Sequence, residues 1–202
     1  MAGKTAAVGF SPHSGWAAMV VIGGPVSAPV LLARQRVALM DDHDPPSKQP
    51  YHTVELMCIE EATGRLDGYL AVATSMAQAS LHAQSAALEE RGIRLRSVGI
   101  LESSGRKPVS LSSILASHAA IHGADGDHFR NALAGAAELL RLRVSRVRAR
   151  EIETHAANSL RQPASRLLDV VNELGRGVGP PWGADQKKAA LLAWSLLADG
   201  RG

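Results

Sequence analysis

Apolar and polar positions follow two rhythms along this chain. Residues 5–10 (TAAVGF) are a short apolar run and 16–22 (WAAMVVI) a second, separated by Ser11-Pro12-His13-Ser14-Gly15. Short apolar runs bounded by turn-forming residues predict a β-hairpin. Gly23-Gly24-Pro25 turns the chain again, and 29–39 (PVLLARQRVAL) predict a third strand. There Leu32, Arg34 and Arg36 fall on one face and Leu31, Ala33, Gln35 and Val37 on the other. That partial alternation suits a strand near a sheet edge.

The period then lengthens. Residues 41–50 (DDHDPPSKQP) hold three prolines and predict a loop. From Tyr51 to about Arg91 the pattern is helical, with Leu66, Leu70, Ala73, Ala77 and Leu81 on one stripe and Gly64 and Gly68 as candidate breaks. Residues 93–101 (IRLRSVGIL) predict a strand buried on both faces, ending at Glu102. Helices are predicted over 110–122 and 126–141, divided at Gly123, then a short strand over 142–148. Residues 151–174 are helical with an interruption near Pro163. A Gly/Pro hinge covers 175–184, and Asp185 is the predicted cap of a last helix ending near Ala198.

The order βββ-α-β-α-β-α predicts an α/β fold. Three antiparallel strands precede two parallel ones joined through right-handed crossovers, giving a five-stranded mixed sheet with helices on both faces. Residues 1–174 are expected to form the core domain, and 175–202 the hinge and a C-terminal helix packing on that same domain.

Bulk properties narrow the setting. A chain of 202 residues, 46% hydrophobic and 20% charged, can bury a core without staples. A formal charge of +3 is mildly basic and short of the excess of a dedicated nucleic-acid binder. Aromatics make up only 3%, and Trp16, Trp182 and Trp194 are scattered among small apolar residues. That counts against a stacking platform for single-stranded bases. The lone Cys58 excludes an intrachain disulfide and a cysteine zinc cluster; its LMCIEE setting predicts a buried, inert thiol. No apolar run is long enough to span a membrane, so a cytoplasmic protein with no membrane partner is expected.

Three stretches, VGFSPHSGWAAMVVI, VGILESSG and DQKKAALLAWSLL, carry a resemblance in their order and spacing. The chain resembles the ribonuclease H-like superfamily and, within it, the RuvC-type Holliday-junction resolvases. The resemblance implies a two-metal carboxylate site with acids from strand one, from the end of strand four and from the last helix. Two such ions about 3.5–4 Å apart would clamp the attacking and leaving oxygens of a phosphodiester, and hard Mg²⁺ or Mn²⁺ would seek carboxylate oxygens. Glu102 matches the strand-four acid and Asp185 the last-helix acid, making Glu102/Asp185 the implied catalytic and Mg or Mn site. Ser11 stands where strand one should supply an Asp, and Lys187 and Lys188 stand where a second helix acid would lie. Read without the resemblance, Ser11-Pro12 is a turn initiator.

Other polar groups carry chemistry of their own. The loop after Glu102 places Ser104, Arg106 and Lys107 where a phosphate could be held, with Ser11 nearby as a further substrate contact. His118 and His122, four apart, share a helix face, and Asp125 follows within a turn: a candidate set for Zn²⁺, Fe²⁺ or Mn²⁺. Against it, Asp125 or Asp127 can cap the next helix, His122 can sit at a helix C-terminus, and His118 can be a partly buried histidine. On the expected topology both histidines lie toward the far end of their helix and do not reach Glu102. Five arginines in 141–150 form either a phosphate-contacting edge or a solvated surface balanced by acids.

Three functional readings follow. The first is a RuvC-like domain with an incomplete metal site, associated with nucleic acid or phosphate and having weak or no nuclease activity. The second is an active metal-dependent phosphodiesterase using Glu102, Asp185 and Glu151. The third is a non-enzymatic interaction protein. Leu192, Trp194, Leu196 and Leu197 make the last helix apolar on more than one side, a surface that either the core or a second subunit could cover; a homodimer is expected.

Overall fold

In the computed structural model, which describes residues 4–103 and 110–199, the chain forms one five-stranded sheet in the order β3-β2-β1-β4-β5. Strands β1 (Lys4–His13), β2 (Trp16–Gly23) and β3 (Val30–Ala38) form an antiparallel meander, and β4 (Ile93–Glu102) and β5 (Arg143–Arg148) run parallel to β1. This is the expected mixed sheet, with β3 at one edge. Helices α1 (Pro50–Thr53), α2 (Ile59–Glu89), α3 (Leu111–Leu115) and α4 (His118–Leu139) join the meander to β4 and β4 to β5. Helices α5 (Ile152–Leu160), α6 (Ala164–Arg176) and α7 (Ala184–Asp199) follow β5.

Period-two alternation assigns the two faces. Ala6, Val8 and Phe10 of β1 join Val98 and Ile100 of β4 in a core closed by Ala73, Ala77 and Leu81 of α2 and Phe129 and Leu133 of α4. The opposite face carries Ala7, Val20, Ile22 and Leu101 against Ile152, Leu167, Leu192 and Trp194. With helices on both faces, the central strands lose the polar alternation of a half-solvated sheet, which explains their continuous apolar runs.

The α7 face of the sheet is floored with small residues. Ala7 pairs with Ser97 and Gly9 with Gly99 across β1 and β4. A β-carbon on Gly9 would collide with the Ala189 carbonyl, and one on Gly99 would lie 2.5 Å from the Leu192 side chain. Helix α7 therefore sinks into a trough that larger side chains would fill. Its last turns carry Trp194, which is 1% exposed and donates from Nε1 to the Val26 carbonyl at 2.9 Å. The apolar girdle of α7 is covered by its own chain, so that burial does not call for a second copy.

Several expectations are corrected. Helix α2 runs unbroken through Gly64 and Gly68, which lie where a β-carbon would meet nothing within 4 Å. Its stripe is Ala62, Leu66, Tyr69, Ala73, Ala77, Leu81 and Leu88, with Leu70 only partly buried. Gly123 likewise does not end a helix, since α4 is continuous from His118. Its cap is Ser117, whose side chain accepts from Ala120 N–H at 3.4 Å, so neither Asp125 nor Asp127 is a cap. Nor does Asp185 cap α7. It lies inside the first turn, while Gln186 Oε1 accepts from the Gly183 N–H at 3.0 Å. Cys58 is exposed, immediately before α2. The Gly/Pro hinge is tied to the sheet edge by Arg34, whose guanidinium donates to the carbonyls of Val178, Gly179, Pro180 and Pro181. Among the described residues no helix is long and apolar enough to cross a membrane.

Candidate functional site

Parallel strands end at one edge of a sheet, and β1 and β4 do so here. From the pairing of Phe10 with Ile100, Ser11 lies one residue further along β1 and Glu102 two further along β4, so Ser11 follows Ala7 and Gly9 onto the α7 face while Glu102 follows Val98 and Ile100 onto the α4 face. Helix α7, fixed by Gly9 and Gly99, delivers its first turn to the same edge. Ser11 Oγ donates to Asp185 Oδ1 at 2.9 Å, joining residues 174 apart in sequence. The strand-one position and the last-helix acid thus meet.

Asp185 has a second neighbour. His13, two residues beyond Ser11 and so on the same strand face, puts Nε2 3.1 Å from Asp185 Oδ2, a contact without hydrogen-bond alignment. The His13 ring stacks on Trp16 at 4.2 Å and 6°, and the Arg36 guanidinium lies 4.2 Å over the other partner of that stack, the Trp16 ring. Both Asp185 oxygens therefore face groups from β1.

Glu102 is also engaged. Arg146 Nη1 donates to its Oε1 at 3.1 Å, and the same guanidinium donates to Asn131 Oδ1 at 3.1 and 3.2 Å. The Glu102 side chain is only 18% exposed, so the pair is partly shielded from water. A cleft of about 620 Å³ runs from Glu102 along β5 to α5, lined by Arg146, Arg148, Arg150, Glu151 and His155. Glu151 accepts from Arg148 and Arg150, both at 3.3 Å, and the Arg148 guanidinium holds its carboxyl below the usual carboxylate range. Of the loop contacts expected after Glu102, Ser104, Arg106 and Lys107 lie outside the described residues.

A second polar centre is built around α4. His118 and His122 do share a face, their Nε2 atoms 3.1 Å apart. The third member is His52 of α1, absent from the sequence-based set. Asp125, expected as a metal ligand, instead accepts from the Tyr51 backbone N–H at 2.7 Å and contacts His52 Nδ1 at 2.5 Å. It is 2% exposed. Burial pushes its carboxyl up, while the His52 and Tyr51 hydrogen bonds pull it back. The histidines occupy the first turns of α4, not its far end as expected. Arg130, on that helix, donates to the Leu101 carbonyl at 3.1 Å. At 1.5 Å per residue His118 and His122 lie roughly 12–18 Å along the α4 axis from Arg130.

His13, Arg146 and His52 are the site residues missed in the sequence. His13 had a signal, its two-residue offset from Ser11. Arg146 had only its place in an arginine run, and nothing in the spacing around His52 marks it.

No protein-family model and no curated protein matches the chain. Among solved structures it is similar to Thermus thermophilus RuvC in complex with a Holliday junction substrate, at 14% identity and TM-score 0.53, covering 98% of this chain and 95% of that one. It is also similar to a second Thermus thermophilus RuvC structure, at 12% identity and TM-score 0.53, covering 97% and 95%. The chain has the ribonuclease H-like fold of RuvC.

Proposed function

We propose that the strand-end edge holding Ser11, Glu102 and Asp185 is a nucleic-acid-binding surface whose carboxylate site is too depleted for efficient two-metal cleavage. The observation that carries this reading is the 2.9 Å hydrogen bond from Ser11 to Asp185. A neutral hydroxyl sits where a bridging carboxylate is needed, and it uses an oxygen that a metal would require. Glu102 adds to this, because a guanidinium already neutralises it. A pair of hard divalent ions needs several anionic oxygens at about 2.1 Å from each ion, whereas among the described residues Asp185 and Glu102 are both engaged and stand on opposite faces of the sheet. The residues present do not fit a Mg²⁺ or Mn²⁺ pair, and we assign no catalytic step to one.

Binding is supported by charge and shape. The arginine-lined cleft beside Glu102 supplies planar donors suited to phosphate oxygens. The RuvC of similar fold is in complex with a Holliday junction substrate, so a four-way junction is the first ligand to try. The test is a panel of four-way, duplex and single-stranded DNA, assayed for binding at stated salt and for cleavage with Mn²⁺. Salt-sensitive binding with little or no cleavage is the expected result. No binding to any form at low salt removes the reading, and rapid Mn²⁺-dependent cleavage lost in Asp185→Asn replaces it with an active phosphodiesterase.

A further inference from the structure

The N-terminal end of α4 carries a second polar centre, with Asp125 rather than Glu102 or Asp185 beside it. We infer that His52, His118 and His122 form a binding site for a Zn²⁺-class transition-metal ion, with Asp125 as the residue that orients His52.

Geometry comes first. One ring nitrogen of each histidine lies within 4.8 Å of those of the other two. The Nε2 atoms of His118 and His122 are 3.1 Å apart. Two imidazole nitrogens on a tetrahedral Zn²⁺, each about 2.0–2.1 Å from the ion, stand about 3.3 Å apart. The pair is thus already at ligand spacing, with a His52 nitrogen within 4.8 Å of both. The rings meet edge to face, at 88° for His52 with His118, 60° for His52 with His122 and 76° for His118 with His122. The rings are thus crowded together without stacking on one another.

The third histidine is held in place. Asp125 engages His52 Nδ1; with the proton on Nδ1, the Nε2 lone pair across the ring would be the one offered to an ion. The other Asp125 oxygen is fixed by the Tyr51 N–H. A histidine ligand whose second nitrogen donates to a carboxylate is the usual support for a metal-bound imidazole, because it sets the tautomer and raises the ring's basicity. The backbone is anchored as well. Val54, fully buried, packs with Ala62 and Leu66 of α2 and with Leu111 and Leu115 of α3, pinning α1 beside α4. His118 and His122 are exposed, and their Nε2 atoms share a hydrogen bond that an ion would replace.

Chemistry selects the ion. Three neutral imidazoles are borderline nitrogen donors that suit Zn²⁺, and Co²⁺ or Ni²⁺ after it, whereas Mg²⁺ seeks oxygen. Three protein ligands leave a fourth position for water, the arrangement of an exchangeable site rather than a closed structural one.

The experiment is Zn²⁺ titration of the chelator-treated full-length chain by calorimetry, with Co²⁺ absorption reporting the ligand field and thermal denaturation reporting folding. The wild type should take up one Zn²⁺ and melt at higher temperature in its presence. His118→Ala and His122→Ala, both exposed positions on a helix, should fold normally and lose more than about 100-fold in affinity, while Asp125→Asn should lose about 10–100-fold. Asp185→Asn should bind as tightly as wild type, which separates this centre from the strand-end acids. Absence of Zn²⁺ uptake by the wild type, uptake indifferent to His118→Ala and His122→Ala, or uptake abolished by Asp185→Asn overturns the assignment. His52→Ala adds a third arm where it remains folded by the same denaturation measurement.

Discussion

Gly9 of β1 lies against the backbone carbonyl of Ala189 on α7 with no room for a β-carbon between them. That contact sets the depth of the last helix, and the depth brings Asp185 to Ser11. Gly9→Ala must push the helix away from the sheet. The obstacle is backbone rather than a flexible side-chain tip, so the cost belongs at the upper end of the overpacking range, about 3 kcal/mol. Gly64→Ala is the contrasting change. A β-carbon there meets nothing within 4 Å and the helix is unbroken, so the substitution should stabilise by about 0.5–1 kcal/mol. Urea denaturation of the two variants should give shifts of opposite sign. A neutral Gly9→Ala would mean that α7 is not seated as described.

Ser11→Asp restores an acid to strand one and places it against Asp185. Two carboxylates replace a hydroxyl–carboxylate hydrogen bond, and without metal they repel. Asp185 is about one-third exposed, its side chain at 36%, so solvent screens part of that cost. A loss of about 1.5 kcal/mol in chelator is expected, the lower end for a hydrogen bond to a charged group. Mn²⁺ should then stabilise the variant more than the wild type, because metal binding is linked to folding. Thermal shifts with and without Mn²⁺ check this, and an equal Mn²⁺ response in both proteins would count against a degraded two-metal site.

His128 gives the fold a predictable acid sensitivity. It is 4% exposed on α4, with Nε2 lacking a hydrogen-bond partner among the described residues. The Tyr51 ring meets it edge-on and Phe129 packs beside it. Burial pushes its pKa below the ordinary 6.5, and a hydrogen bond to the Tyr69 backbone offsets part of that. The folded state therefore holds the neutral ring more strongly than the unfolded chain does. Its contribution is fully present above the unfolded pKa and is lost as pH falls through the folded one. Stability should decline from about pH 6.5 downward, and His128→Leu should flatten that decline. Denaturation midpoints compared at about pH 8 and about pH 5 report it, and parallel losses in both proteins would assign the sensitivity elsewhere.

The sheet was legible because its strands are buried on both faces or end at strong turn residues. β1, β2 and β4 read as continuous apolar runs, and Gly15 and Gly24 take φ +80 and +84 where the turns were expected. Helix boundaries were less legible. Gly64, Gly68 and Gly123 look like breaks, yet each sits where the helix loses only a small intrinsic preference and gains packing along its buried stripe. At the site, strand register ends β1 and β4 at one edge but turns Ser11 and Glu102 to opposite faces, while the depth of α7 is a packing outcome that only Gly9 and Gly99 hint at. His52 could not be found by spacing. Its link to Asp125 spans 73 residues and exists because a small satellite core around Val54 folds α1 onto α4.

The arginine-lined cleft makes the last prediction. Arg148 and Arg150 both bond Glu151, and their side chains remain 52% and 61% exposed. Exposed ion pairs of this kind contribute little to stability, so removing them should leave folding unchanged. Their role in binding would be larger, because each guanidinium that meets a phosphate releases condensed counterions. The double variant Arg148→Ala/Arg150→Ala should weaken four-way-junction binding and reduce the slope of log K against log salt by about 1 per lost phosphate contact. Glu151→Gln should act in the opposite sense. It removes the anion that competes for both arginines, so affinity at low salt should rise. Fluorescence anisotropy across a salt series measures both effects. An unchanged slope in the double variant would place the nucleic-acid path away from β5, and weaker binding by Glu151→Gln would mean that this carboxylate holds the arginines in their binding geometry rather than competing for them.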